Sequence, residues 1–130
     1  MVKFEEFKKK VEIKAKVRPK RYVLSKVTSY PKLSSKIFAV INNPNDLTIV
    51  TEENHEMETV KEEKFFKIIS FENVIPIDLV GFTAYMSKIF AVQNISILVF
   101  SSYATDHILV KEKDLNKALQ ILKFSGVKVV

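Results

Sequence analysis

The 130-residue chain has no cysteine and no tryptophan, and only two glycines and two histidines. Without cysteine there is no disulfide framework and no thiolate nucleophile or metal ligand. No apolar run approaches the ~20 residues that cross a bilayer as a helix. Met1 to Lys10 mixes acids with lysines and has no apolar stretch, so no signal peptide is visible there. A cytoplasmic protein with no membrane partner is the expectation. The chain also lacks a glycine-rich phosphate loop and a nucleophile elbow, which leaves a poor catalytic inventory and makes an enzyme the least expected class. Gly81 and Gly126 stand where about nine glycines would be average. Each is therefore expected where no other residue fits.

What is present begins with charge. Residues 1–36 hold twelve basic and three acidic residues, whereas the whole chain carries a net charge of +6. The basic third, with Lys8-Lys-Lys10, Lys14, Lys16, Arg18, Lys20 and Arg21 beside Phe4 and Phe7, would suit a nucleic-acid partner. A solvated strand and tail explains the same residues, and nucleic acid is kept as the alternative partner.

Periodicity gives the elements. Val11–Val17 alternates apolar and charged residues, the pattern of a strand with one wet face. Arg21–Val27, Lys36–Ile41 and Leu47–Val50 read as strands, and the turn chemistry of Asn42-Asn-Pro-Asn-Asp46 joins the last two as a hairpin. Tyr30–Ser35 reads as a turn or helical stub, and Asn54–Glu63 predicts a short acidic helix capped by Asn54. Phe65–Phe71 is a strand and Val74–Val80 an apolar loop or short strand. Phe82, Tyr85, Met86, Ile89 and Phe90 form the stripe of a helix over about 81–93. Ile95–Phe100 and His107–Val110 read as strands around a turn at Ser101–Asp106. Asp114 opens a last helix, Gly126 ends it, and Val127–Val130 closes as a strand. From Phe65 the order is β-α-β-β-α-β, the split βαβ of ferredoxin-like folds.

The chain also repeats itself. A gapless shift of 60 carries residues 37–60 onto 97–120, matching Ile37 with Ile97, Asp46 with Asp106, Val50 with Val110 and Glu52 with Glu112. The first copy is the worn one, because only nine residues separate Val27 from Ile37.

Few residues carry chemistry. His55 lies in the acidic run Glu52–Glu58, where a metal is conceivable, but it lacks the second histidine four residues on that zincin helices use. A solvated acidic face is the alternative. His107 begins a strand and reads as an ordinary half-buried residue. Gly81 at a helix start either eases a tight turn or lets a ligand approach the free N–H groups of the first helical turn. Ser101, Ser102 and Thr105, at the end of the following strand, would sit nearby.

The segment Gly81–Tyr103 resembles the core of an ACT domain, the amino-acid-sensing module of aspartate kinases. Asp46-Leu-Thr-Ile-Val-Thr-Glu-Glu and Tyr103-Ala-Thr-Asp-His-Ile-Leu-Val resemble paired signatures of stand-alone double-ACT proteins related to the CASTOR arginine sensor. The likeness covers about residues 20–130. It implies an α+β chain of two tandem ferredoxin-like ACT units, the N-terminal one degenerate, with antiparallel sheets and helices on one face. The expected divisions are a basic segment and first strand at 1–20, a degenerate unit at 21–63 and an ACT domain at 64–130. The implied function is regulatory binding of an amino acid or similar metabolite by a homodimer, without metal or cofactor. The implied ligand residues are Gly81, Phe82 and Thr83 at the loop–helix start, and Ser96, Ile97, Leu98, Ser101 and Ser102 on the opposite wall. Leu98 stands where lysine-binding ACT sites can carry Asp, so Asp78 or Asp106 would have to anchor the ligand amine. Asp106 equally suits a cap on its hairpin turn. A scaffold that keeps the fold and binds nothing is the further alternative.

Overall fold

In a computed structural model describing residues 2–130, the β-α-β-β-α-β run expected from Phe65 is present element by element. The described elements are β1 (Val2–Lys3), α1 (Phe4–Lys10), β2 (Lys14–Val17), β3 (Tyr22–Val27), β4 (Ile37–Asn43), β5 (Asp46–Glu52) and β6 (Lys61–Phe71). They continue with β7 (Leu79–Val80), α2 (Phe82–Ala91), β8 (Leu98–Ser101), β9 (Asp106–Lys111), α3 (Leu115–Phe124) and β10 (Lys128–Val129). The architecture is α+β, and the chain divides into two units. One, the helical unit, comprises the described part of Met1–Arg18 with Ile68–Val130; the other is Pro19–Lys67. β6 supplies its first residues to the second and its last four to the first.

The helical unit has strand order β10-β2-β6-β9-β8. Two β-α-β crossovers that each skip one strand would lay the fourth strand directly beside the first. Here β2 sits between them, parallel to β10 through Lys14↔Lys128 and antiparallel to β6 through Ala15↔Phe71. Residues 2–18 thus belong to the C-terminal unit, where the sequence suggested a separate segment. Residues 1–10 also carry α1, a helix the sequence reading lacked. Its acidic first turn, Glu5 and Glu6, and basic last turn, Lys8–Lys10, both suit the helix dipole. Phe4, 4% exposed, meets the Phe82 ring edge-on at 5.5 Å and the Tyr85 ring at 5.0 Å. Phe82, Met86 and Phe90, one turn apart on α2, pack with Ala118 and Leu122 of α3 over Ala15, Ile69, Phe71, Ile108 and Val110 of the sheet. Helices therefore cover one face.

The unit Pro19–Lys67 has strand order β6-β3-β5-β4 with every pair antiparallel. Numbered within the unit this is 4-1-3-2, the ferredoxin-like order, with both crossover helices missing. The helix expected at 54–63 does not form. β6 extends back to Lys61, so Lys61–Glu63 pair with Lys26, Ser25 and Leu24. His55 Nδ1 accepts the Met57 N–H at 3.1 Å, and His55 Nε2 lies 2.7 Å from Glu62 Oε2, which also accepts from Ser25 Oγ at 2.7 Å. Strand pairing and this latch replace the helical bonds. Phe65, at φ 66°, marks a bulge where β6 slips its register against β3.

The internal repeat needs one correction. Asp46 and Asp106 both open the third strand of their units. However, Val40 pairs with Ile49 whereas Leu98 pairs with Leu109, so β4 matches β8 with a slip of two residues. The later hairpin has the longer loop.

Candidate functional site

The expected loop–helix start is built as the sequence implies, with a different reason for its glycine. Gly81 caps α2 with φ 101°, a left-handed backbone that side-chain-bearing residues rarely adopt. A Cβ added there would lie 3.6 Å from Phe4 Cβ. The bare α-carbon thus faces α1, and backbone conformation accounts for the glycine. The N–H groups of Phe82, Thr83 and Ala84 follow, which have no intrahelical acceptor; the first helical bond runs from Tyr85 N–H to Gly81 O at 3.0 Å.

Beside this helix start lies a hollow of about 220 Å³, lined by residues of the loop 75–79, by Phe82 and Thr83, and by Ser101, Ser102, Tyr103, Thr105 and Asp106. Five of the ten expected ligand residues converge here: Phe82, Thr83, Ser101, Ser102 and Asp106. The other five do not line it. Gly81 sits behind the helix start, Asp78 is exposed in the loop before β7, Ser96 and Ile97 precede β8, and Leu98 begins β8 opposite Leu109. The apolar side, Ile75, Pro76, Ile77 and Leu79, was not expected to contribute. Its signal was there: an apolar loop that ends with Ile77 at 80% exposure has too little burial to justify itself.

The hydroxyls of the turn are engaged within it. Ser101 Oγ donates to Asp106 Oδ1 at 2.5 Å, so Asp106 does cap its hairpin. Ser102 Oγ donates to Thr105 O at 3.0 Å and accepts the Thr105 N–H at 3.4 Å. Thr105 Oγ1 donates to Phe71 O at 3.1 Å, and Ile75 N–H to Ala104 O at 2.8 Å, which ties the loop to the turn. The hollow's two charge-bearing features are the positive end of α2 on one wall and the Asp106 carboxylate on the other.

Other places are less suited to a small polar ligand. A larger groove of about 740 Å³ between α2 and α3 is lined mainly by Tyr85, Ile89, Val92, Ile121 and Phe124, and its one charged lining residue, Lys117, donates to Gln93 O at 3.1 Å. Among the described residues no group of three or more His, Cys, Asp or Glu could hold a metal, and no helix is long and apolar enough to cross a membrane. His55, the metal candidate, is instead the partner of Glu62.

With this geometry in place, the comparisons agree with it. Residues 61–123 match the ACT domain family. No curated protein matches. Among solved structures, a protein of Agobacterium tumefaciens superposes with a TM-score of 0.80 at 20% identity, covering 92% of this chain and 93% of that one. A Vibrio cholerae protein of unknown function, with a suggested transport role, gives 0.70 at 26% identity over 87% and 89%. A domain assigned as the C-terminal regulatory domain of a Porphyromonas gingivalis aspartate kinase gives 0.55 at 20% identity over 88% and 95%. These likenesses establish an ACT-like, ferredoxin-like α+β fold.

Proposed function

We propose that the chain is a regulatory protein that reversibly binds an amino acid or similar small zwitterion in the hollow beside α2, and that it is not an enzyme. The observation that carries this reading is the pairing of opposite electrostatics across a small cavity. The first-turn N–H groups at Phe82 and Thr83 suit a carboxylate, and Asp106 suits an ammonium. The volume suits a small metabolite rather than a drug-sized one. A reducing cytoplasm is the proposed setting and a homodimer the proposed assembly, since outer strands such as β4 and β8 are edges that another copy would cover. Output then requires that ligand favour one assembly state over another.

The nucleic-acid alternative loses one of its stacking groups. Phe4 is in the core, and Lys8 Nζ lies 5.1 Å from the Tyr85 ring centroid. The ligand-free scaffold is separated by experiment. A thermal-shift screen against the common amino acids should find one that, at about a hundred times its Kd, adds roughly 2.7 kcal/mol of stability. Asp106→Asn should weaken that binding about tenfold or more, as loss of a charged partner implies. A flat screen overturns the reading in favour of the scaffold.

A further inference from the structure

Behind the turn that walls the hollow stands a buried histidine that the reading above does not use. His107 is 7% exposed and sits on the sheet face away from the helices, its neighbour Ile108 pointing the other way into the core. Its ring bridges two serines: Nδ1 lies 2.8 Å from Ser70 Oγ and Nε2 lies 3.3 Å from Ser102 Oγ. Beyond Ser70, Arg18 Nε donates to Ser70 Oγ at 3.3 Å.

The donors order this chain. Ser102 gives its one hydroxyl proton to Thr105 O, so its Oγ accepts from His107 Nε2–H; in the neutral ring Nδ1 is then bare, and Ser70, which accepts from Arg18, donates its O–H to it. Nδ1 is then the acceptor, and the ring proton resides on Nε2, from which it is donated to Ser102 Oγ. Ser102 passes its hydroxyl proton to Thr105 O at 3.0 Å, and its backbone N–H reaches the same carbonyl at 2.8 Å. Every link runs one way, from Arg18 to the Ser102–Thr105 turn. The arrangement is the reverse of a nucleophile with its base. There the nitrogen facing the serine must be bare and a carboxylate must stand behind the ring; here an arginine stands behind it.

We propose that His107 is a positioning residue for the hollow, holding the Ser102–Thr105 wall through its neutral, Nε2-protonated ring. The identity of the ligand rests on the amino-acid reading above; the positioning of the turn does not. The charged groups facing the ring are Arg18 and Asp106. Burial and Arg18 favour the neutral ring, and Asp106 opposes them. A second ring proton on Nδ1 would point at the Ser70 hydroxyl, which must then turn its hydrogen away, and it would set an imidazolium near Arg18. The Nε2–H bond to Ser102 survives that second protonation, so the hold on the wall lies in the ring's Nε2–H and not in its charge.

The test uses the full-length chain. Long-range proton–nitrogen spectra should show His107 as the Nε2–H tautomer at about pH 7.5. His107→Phe, which keeps the volume and loses both ring nitrogens, should speed amide exchange of Ser102 about tenfold, the equivalent of one ordinary hydrogen bond, while Ile69 in the sheet is unchanged. His107→Gln places an amide donor near the Nε2 position and should restore the protection. Binding of the amino acid found by thermal shift, measured at about pH 7.5, should weaken about tenfold in His107→Phe and return in His107→Gln. An Nδ1–H tautomer, parental exchange in His107→Phe, or parental ligand binding in His107→Phe overturns the proposal. If no amino acid binds the parent, the amino-acid reading fails, and the tautomer and exchange results still decide whether His107 positions the turn.

Discussion

The helical unit and the unit Pro19–Lys67 are two answers to one topology. Both run their strands in an order that skips and returns, but only the first keeps the helices that the skips normally carry. Where helices remain, the sheet is covered by Phe82, Met86, Phe90, Ala118 and Leu122. Where they are gone, the loop after β5 is held by a polar node, His55, Glu62 and Ser25, on the strands themselves. Strand order therefore does not depend on the crossover helices once the pairing itself is good. The hollow beside α2 does depend on one, because its positive wall is a helix start.

The sharpest way to break this contrast is to remove helical cover. Phe4→Ala should cost about 3–5 kcal/mol in a urea titration, the range for emptying a buried phenylalanine site. A variant beginning at Val11 should lose at least as much. A truncated chain that melts like its parent would show that α1 is an ornament. In the other unit, Glu62→Ala should cost about 1–3 kcal/mol by leaving the buried Ser25 hydroxyl without its acceptor.

Acid should separate the two units by order of events. Burial pushes His107 below its ordinary value, helped by Arg18 and opposed by Asp106. Burial works to raise Glu62, but hydrogen bonds from Ser25 and His55 and the charges of His55 and Lys64 outweigh it and hold the carboxyl low. Both values are depressed on folding, so both groups stabilise the fold above their unfolded pKa values and lose that contribution as pH falls through the folded ones. The His107 loss should begin below about pH 6.5 and the Glu62 loss only below about pH 4.3. Melting temperatures of His107→Gln and Glu62→Gln across pH check the order, each variant flattening its own window.

The smallest effect sharpens the role of the two glycines. Gly81→Ala should cost about 1–2 kcal/mol from its left-handed backbone, with the new methyl in ordinary contact with Phe4. Gly126→Ala, at φ 90° with open space around it, should cost about as much or less.

Local signals carried most of what the sequence made legible. The stripe on α2, the left-handed stop at Gly126 and the Asn-Pro-Asn turn each depend on residues within one or two turns of each other, and each stands where the sequence places it. α1 was missed because seven residues with two phenylalanines offer little period, although acids at Glu5 and Glu6 followed by lysines at 8–10 were a dipole pattern in plain view. The expected helix at 54–63 failed because its tail was recruited by β3, a partner some thirty-five residues upstream in the chain. Non-local pairing also hid the insertion of β2 and the two-residue slip between the hairpins. Half of the expected site converges, because the helix start and the next hairpin are fixed by the same topology. The assignments at Leu98 and its neighbours depended on strand register, which local patterning sets poorly.

The insertion of β2 also has a temporal side. The pairings of β3, β4 and β5 are closed among consecutive residues of the unit Pro19–Lys67, so these strands can form as the chain emerges from synthesis. β2 is made before them and must wait. Its neighbour at Phe71 comes later, and its other neighbour, Val129, later still. Joining Ala15 to Val129 closes a very long loop, an entropy cost that falls on the rate of folding more than on the stability of the product. The early residues of this protein are thus among the last to find their places.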